Sequence, residues 1–322
     1  MKTEEWIDFL EPEEEDLMQA EACFQKRKKN WKILSGKWAV VLAACLLLAG
    51  LSVGAFAAQS AGGAGLRSWF HADGEKEKRL LEEMSVQAGM TAEDCGYQIR
   101  VEEAAGDGKQ IYAVLEVTDL QGDSLDHVYG LDLIPRVSKR ETTDREEGFF
   151  PGGGWHTEVL EQTDANRMTL LLVLSLSEKR KEDYLLLDIS GIREYVNGQD
   201  RALAEGSWRL SLPIPEDTGK TVRQWTKAVC GSDTYYVTAV ELTPLGVGVE
   251  AVKLKGPSGY SKESFDKAAI TVVKKDGTEV KAYGGGQSSA FIFCRRELLW
   301  HEILDPEEIA QVRIGDTLLK VD

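Results

Sequence analysis

The hydrophobic pattern divides the chain into one long apolar segment and a later series of short strands. Residues 38–58, WAVVLAACLLLAGLSVGAFAA, contain no charged side chain. A helix of this length spans about 31 Å, close to the ~30 Å hydrocarbon core of a bilayer. Since a cleavable leader has an apolar region of only about 7–15 residues, we expect a retained transmembrane helix. The tripeptide Ala55-Phe56-Ala57 leaves cleavage near residue 58 as an open alternative.

A single helix is predicted soon after the apolar segment. Asp73 precedes GEKEKRLLEEMSVQAG, in which Leu80, Leu81 and Met84 share one helical face. Residues 59–91 are therefore expected to be a linker and a connecting helix that Asp73 caps and that ends at a glycine.

Beyond this helix the apolar positions recur every second residue, which is typical of strands. One group includes YQIRVEE, QIYAVLEV, TLLLVLSL and SWRLSLPI, and a second group is expected to begin near Tyr235 with YYVTAVEL. Asp276-Gly277 lies between two such segments and predicts a hairpin. Many short strands separated by turn signals predict a mainly β fold with two antiparallel β-sandwich, immunoglobulin-like domains, over 92–216 and 221–322.

Charge is distributed unevenly around the apolar segment and predicts its orientation. Residues 1–25 hold nine acidic side chains against Lys2 alone, whereas residues 26–37 hold six basic side chains and no acidic one. The positive-inside rule therefore predicts a cytoplasmic tail, residues 1–37, at the plasma membrane, with the β domains extracytoplasmic. The chain beyond residue 58 carries a net charge of −14, which disfavours nucleic-acid binding.

The cytoplasmic tail is predicted to form a short amphipathic helix. Its apolar stripe, which we expect to bind a partner, consists of Ile7, Leu10, Leu17, Met18 and Phe24. A short helix is marginal alone in water, so a cytoplasmic partner protein is one interpretation. In the other interpretation, the neighbouring bases simply contact anionic lipid headgroups. Gly50 and Gly54 form a GxxxG pattern, which predicts a homodimer through the transmembrane helix unless it reflects the general frequency of small residues there.

The sequence contains no complete motif of known catalytic chemistry. The four histidines are dispersed without HxxxH or HExxH spacing, and no GxSxG, P-loop or GxGxxG pattern occurs. We therefore predict no catalytic residue, no metal ligand and no cofactor, and expect a protein that is not an enzyme. Cys230 and Cys294 either form a disulfide bond or remain as two buried thiols, and the sequence leaves both alternatives open.

One glycine-rich stretch offers a candidate ligand loop. In FFPGGGWH, the aromatic residues Phe149, Phe150 and Trp155 surround three glycines. They are able to form an aromatic platform for a cell-wall sugar or peptide. The alternative is a loop tip whose aromatic rings pack against the edge of the sandwich.

The order of these features resembles the domain-of-unknown-function family 4179. The features are a short charged tail, a basic stop, one span, a connecting helix, the strand pair YQIRVEEAAGDGKQIYAVLEVTD and the closing strand GSWRLSLPI. The resemblance extends from about residue 30 to 322 and includes a second sandwich that resembles the domain often following in that family. It implies a single-pass membrane protein of a Gram-positive bacterium that acts as a membrane-bound anti-sigma regulator. It implies no ligand residues, and the tail has Cys23 alone where better-known anti-sigma domains carry an HxxxCxxC motif.

Together, pattern and resemblance predict a membrane-anchored regulator or sensor. The tail would bind a sigma factor, and the β domains would sense or bind components of the envelope. The alternative prediction is an extracellular adhesion or wall-binding module without a cytoplasmic signalling role.

Overall fold

A computed structural model describes residues 65–321 apart from 151, 182, 217, 231–232, 256–264, 266–267 and 291–292. These residues belong to one compact unit. Within this part of the chain, no helix has the length and apolar character needed to cross a membrane. The predicted span 38–58 lies outside the described residues, as does the predicted partner-binding stripe of Ile7, Leu10, Leu17, Met18 and Phe24.

Two helices precede the strands, α1 over Leu66–Trp69 and α2 over Glu75–Met84. Helix α2 confirms the predicted connecting helix, but both predicted ends are wrong. Its N-cap residue is Gly74 rather than Asp73, without a side-chain hydrogen bond. The helix ends at Met84 because the following residues run extended along a strand: Ser85 bridges Ala105, and the N–H of Val86 donates to the carbonyl of Ala104 at 2.9 Å.

The first eight strands form two antiparallel sheets around one core. They are β1 Thr91–Asp94, β2 Tyr97–Gly106, β3 Gln110–Asp119, β4 Val128–Ser138, β5 Gly153–Asp164, β6 Arg167–Leu176, β7 Tyr184–Val196 and β8 Gln199–Pro213. A five-stranded sheet has the order β1-β2-β3-β6-β5, and a three-stranded sheet has the order β4-β7-β8. Their inner faces share buried residues such as Leu115, Leu187 and Trp208, and the Trp208 indole N–H donates to the carbonyl of Tyr97 at 3.0 Å. We call this part the first sandwich.

The next nine strands enclose a second core. They are β9 Lys220–Cys230, β10 Asp233–Leu242, β11 Gly246–Lys255, β12 Ile270–Lys274, β13 Glu279–Lys281, β14 Tyr283–Ala290, β15 Phe293–Leu299, β16 Ile309–Ile314 and β17 Thr317–Lys320. The sheets have the orders β14-β15-β11-β10-β9 and β13-β12-β16-β17. Buried residues including Val249, Val272 and Trp300 lie between them, and we call this part the second sandwich. The mainly β, antiparallel prediction is confirmed.

Details of the second sandwich both confirm and correct the sequence predictions. The hairpin at Asp276-Gly277 joins β12 to β13, with Gly277 at φ +87° and the Asp276 carboxylate accepting from the N–H of Thr278 at 2.8 Å. The expected start near Tyr235 is wrong, because β9 already begins at Lys220. The residues of β9 that face outward are polar or exposed, so its sequence shows only a weak apolar pattern for a strand.

Cys230 and Cys294 are not joined by a disulfide bond. Cys230 lies on β9 and Cys294 on β15, and β10 and β11 lie between these strands. Three strand spacings amount to about 14 Å, far beyond the ~7 Å limit for Cα atoms in a disulfide. The bridge that the sequence left open is therefore not formed.

A third apolar cluster joins the two sandwiches. Phe70, the C-cap residue of α1, meets Tyr112 of β3 edge to face, with ring centroids 4.8 Å apart. Leu245, Leu299 and Ile303 of the second sandwich belong to the same buried cluster. This contact places the turn at 107–109 and the loop after β6 against the second sandwich.

Candidate functional site

A cavity of about 310 Å³ opens beside the loop that follows β6. One wall comes from this loop of the first sandwich, and the other is the outer face of the sheet that contains β9, β10, β11 and β15. We call it the junction cavity; it is lined by Ser177, Glu178, Lys179, Thr221, Arg223, Ala239, Glu241, Gly248, Glu250 and Arg295.

Strand register explains why these side chains share one face. Arg223 pairs with Ala239, Ala239 with Glu250, and Glu250 with Arg295, which makes one row across four strands. Side chains of directly paired residues in an antiparallel sheet point to the same face. Because the inner face of this sheet is filled by apolar residues, the row faces outward toward the cavity.

The carboxylate of Glu241 lines the cavity and contacts three cationic side chains. Its Oε1 is 2.6 Å from Lys179 Nζ, and its Oε2 is 3.1 Å from Arg295 Nη2 and 3.7 Å from Lys109 Nζ. Lys109 and Lys179 belong to the first sandwich, so Glu241 links the two sandwiches by charge. Lys109 is only 5% exposed in its side chain, which limits screening of its ion pairs by solvent.

Arg295 connects three carboxylates along the same wall. It contacts Glu241, Glu250 at 2.7 Å and Glu297 at 2.6 Å, and Lys109 also pairs with Glu297. Burial opposes the charged guanidinium, but the attraction of the surrounding carboxylates exceeds this effect and raises the pKa of Arg295. These groups hold one another in place and form a preorganised, hydrogen-bonding wall.

Arg223 is different from the other cations of the cavity. It is exposed on the wall, and no ion pair or side-chain hydrogen bond to it occurs among the residues that the structure describes. Its guanidinium therefore offers five N–H donors to an incoming ligand.

Aromatic side chains border the cavity on the same face. Tyr236 pairs with Val252, and Val252 with Phe293, while Trp225 lies against Tyr236 with ring centroids 5.4 Å apart. Trp225 is 63% exposed and Phe293 is 61% exposed. We call Trp225, Tyr236 and Phe293 the aromatic row. Since Trp225 follows Arg223 by two residues on one strand, the row begins directly beside the cavity.

Sequence reasoning missed the aromatic row because it did not predict β9. The available signal was the alternation in TVRQWTKAVC, in which a tryptophan occupies the same parity as Arg223 and Lys227. In a strand, this parity places the tryptophan on the polar outer face, beside the charged side chains of Arg223 and Lys227.

The predicted ligand loop lies on the first sandwich, and the structure brings its aromatic residues together in part. Phe150 and Trp155 meet edge to face with centroids 5.6 Å apart, and Arg180 lies over the Phe149 ring at 5.1 Å. Phe149 and Phe150 are exposed, whereas Trp155 is half-buried and packs against the first core. The loop thus combines features of both alternatives, a surface platform and a ring packed at the sandwich edge.

No protein-family model matches the sequence, and no curated protein is significantly similar to it. Among solved structures, the chain is similar to a conserved domain protein from Bacillus anthracis. The TM-score is 0.53 at 13% sequence identity, and the match covers 77% of this chain and 83% of that chain. At this identity the similarity shows a shared fold alone.

The arrangement is suited to binding. The part of the chain that the structure describes contains no group of three or more His, Cys, Asp or Glu side chains placed to hold a metal ion. The junction cavity and the aromatic row instead combine fixed charges, the guanidinium of Arg223, which has no partner among the described residues, and exposed rings. Such groups orient and stack on a polar organic ligand.

Proposed function

We propose that this chain is a membrane-anchored regulator or sensor whose β domains bind a glycan of the cell envelope. Residues 38–58 would anchor it, with the tail in the cytoplasm and two immunoglobulin-like sandwiches outside. The apolar segment and the six preceding bases support this topology. We propose a binding role rather than an enzymatic one.

The observation that carries the binding proposal is the aromatic row beside the junction cavity. Exposed Trp225 and Phe293 offer flat faces to the apolar face of a sugar ring. Arg223, Glu241 and Glu250 offer donors and acceptors to its hydroxyl and amide groups. A sugar chain therefore suits this surface better than a purely apolar ligand.

The regulatory part of the proposal rests on the tail and on the family resemblance. The apolar stripe that contains Leu17 and Phe24 requires a partner to bury it, and the resemblance suggests a sigma factor. The alternative is a wall-binding or adhesion module whose tail has no signalling role. It is favoured by the position of the candidate ligand site, all of whose residues lie in the β domains.

Binding to insoluble cell-wall glycan by the purified full chain tests the first part. We expect Trp225→Ala to weaken retention about tenfold or more, because each stacked ring contributes strongly to a small interface. Leu318→Ala is the matched control, since Leu318 is an exposed apolar side chain of the second sandwich on the other sheet. Equal retention of the Trp225→Ala variant and the unsubstituted chain contradicts the proposed glycan site.

Transcription in cells separates regulator from adhesion module. Replacing Leu17 and Phe24 by Asp is expected to abolish the transcriptional response to wall damage while glycan retention stays unchanged. An unchanged response with intact glycan retention supports the adhesion alternative.

A further inference from the structure

Three arginines converge on one carboxylate at a different place, the outer face of the three-stranded sheet. Asp188 Oδ2 is 3.3 Å from Arg145 Nε and 3.7 Å from Arg136 Nε, and its Oδ1 is 3.6 Å from Arg209 Nε. Three guanidinium groups face a single aspartate, so these four side chains together carry a formal net charge of +2. We call these four residues the arginine cluster.

The sheet register holds the arginine cluster in place. Asp188 on the central strand β7 pairs with Arg209 on β8, and Arg136 lies diagonally across on β4. Arg145 reaches Asp188 from the short 3₁₀ helix Arg145–Glu147. The central carboxylate is 11% exposed, whereas the arginines are 20%, 57% and 40% exposed in chain order. The carboxylate therefore lies at the base of the cluster, and the side chains of Arg145 and Arg209 are the more exposed of its arginines.

The donors of the cluster are largely unused within the described residues. Arg136 Nε is buried without a hydrogen-bond acceptor there, and the one hydrogen bond from the side chain of Arg136 goes to the carbonyl of Gly148 at 3.4 Å. Ser211 is nearly buried on the same face of β8, two residues from Arg209, and its hydroxyl likewise has no described partner. Unsatisfied buried polar groups are costly, and a bound ligand with hydrogen-bonding atoms would satisfy these two.

The neighbouring carboxylate of Glu147 has an arginine partner outside the cluster, because Arg140 Nε lies 2.7 Å from a Glu147 oxygen.

We infer that the arginine cluster is a binding site for a phosphate group. Guanidinium groups bind phosphate through directed, charge-assisted hydrogen bonds. Three guanidinium groups that approach from different directions match the several free oxygens of a phosphate. A second carboxylate is a poorer match, because the carboxylate of Asp188 already lies between the arginines. The site is separate from the junction cavity and independent of the glycan proposal. Its ligand is either free phosphate or a phosphate group within a polymer of the envelope.

Calorimetric titration of the purified full chain with inorganic phosphate at low ionic strength tests the site. We expect Arg209→Gln and Arg145→Gln each to weaken phosphate binding about tenfold, the usual consequence of losing a charged hydrogen bond. Arg140→Gln is the matched control, because Arg140 lies on the same loop as Arg145 but is already paired with Glu147. Its affinity is expected to stay within about twofold of the unsubstituted chain.

A thermal melt of Asp188→Asn gives a second, independent measurement. Without the carboxylate, three guanidinium groups repel one another, so phosphate is expected to raise the melting temperature of this variant more than that of the unsubstituted chain. Poly(glycerol phosphate) in a second titration distinguishes the sources: tighter binding than inorganic phosphate indicates a polymer, and equal binding indicates free phosphate. Absence of phosphate binding, or an equal loss in Arg140→Gln and Arg209→Gln, overturns the assignment.

Discussion

Asp107 shows how one residue shapes the junction between the sandwiches. It is fully buried in the turn between β2 and β3, where its Oδ1 accepts the backbone N–H groups of Lys109 at 3.1 Å and Gln110 at 2.7 Å. Its Oδ2 has no hydrogen-bond partner among the described residues. Burial raises the pKa of Asp107, although the neighbouring Thr243 and the two backbone N–H groups oppose this effect.

The raised pKa predicts a loss of stability with rising pH. Between the ordinary value of 3.8 and the raised value, the folded chain binds more protons than the unfolded chain, so the contribution of Asp107 to the free energy of unfolding falls as pH increases. Asp107→Asn keeps the Oδ1 acceptor without the charge. We expect this variant to gain stability relative to the unsubstituted chain as pH rises from about 3.8 to 7, as measured by urea unfolding.

Asp107→Ala serves as the control, because it removes the acceptor along with the charge. It is expected to lose about 1–2 kcal/mol at low pH, where the Asn variant is close to the unsubstituted chain. A constant difference between the Asn variant and the unsubstituted chain across this pH range contradicts a titrating Asp107.

At the scale of the element, Gly153 determines how β5 begins. Its φ is +96°, and a Cβ at this position would lie 1.9 Å from the carbonyl oxygen of Ser175 on β6. The glycine lets β5 approach β6 closely, and two residues later Trp155 packs onto the first core. The glycine-rich stretch is therefore the start of a strand.

Gly153→Ala is predicted to destabilise the chain by about 2 kcal/mol or more, because both the backbone angle and the contact with Ser175 must change. Gly154→Ala is the matched control, since no other atom lies within 4 Å of a Cβ there and its φ is not positive. Urea unfolding should show a small change for Gly154→Ala. A similar loss for both variants contradicts the steric account.

The same scale shows which strands could be predicted from the sequence. Strand β6 contains TLLLVLSL and is buried on both faces, so its apolar run identified it. Strand β9 is an edge strand with alternating exposed residues, and β5 begins with glycines, so neither produced a strong apolar signal. Trp225 was not predicted as a site residue because β9 was not predicted. The aromatic group of Phe149, Phe150 and Trp155 was predicted because these residues lie close together in the sequence.

Contacts between residues that are distant in the sequence could not be predicted for a different reason. Arg136, Asp188 and Arg209 meet because three strands align in one register, which is set by the whole sheet. A shift of one residue in any of these strands would turn its side chain to the other face. Residue types alone do not specify that register.

At the scale of the whole molecule, the two sandwiches are joined by apolar packing and by charge. The apolar part is the cluster around Phe70, Tyr112 and Leu299. The charged part centres on Lys109, which belongs to the first sandwich and contacts Glu297 and Glu241 of the second. Because these groups are mostly shielded from water, removing one leaves its partners buried with unbalanced charge.

Lys109→Met is therefore predicted to lower the free energy of unfolding by about 3 kcal/mol, most of it from the uncompensated carboxylates. Adding Glu297→Gln to Lys109→Met removes one of the carboxylates that the first substitution leaves without a partner. The free energy of unfolding should therefore fall by less in the double variant than the sum of the two single losses, by about 1 kcal/mol or more. Urea unfolding of the four chains measures this coupling. As a control, Arg313 pairs with Glu279 within the second sandwich at 2.7 Å, and the two side chains are 37% and 47% exposed. Arg313→Met should cost about 1 kcal/mol or less. Additive losses at Lys109 and Glu297 would mean that this ion pair does not help to join the sandwiches.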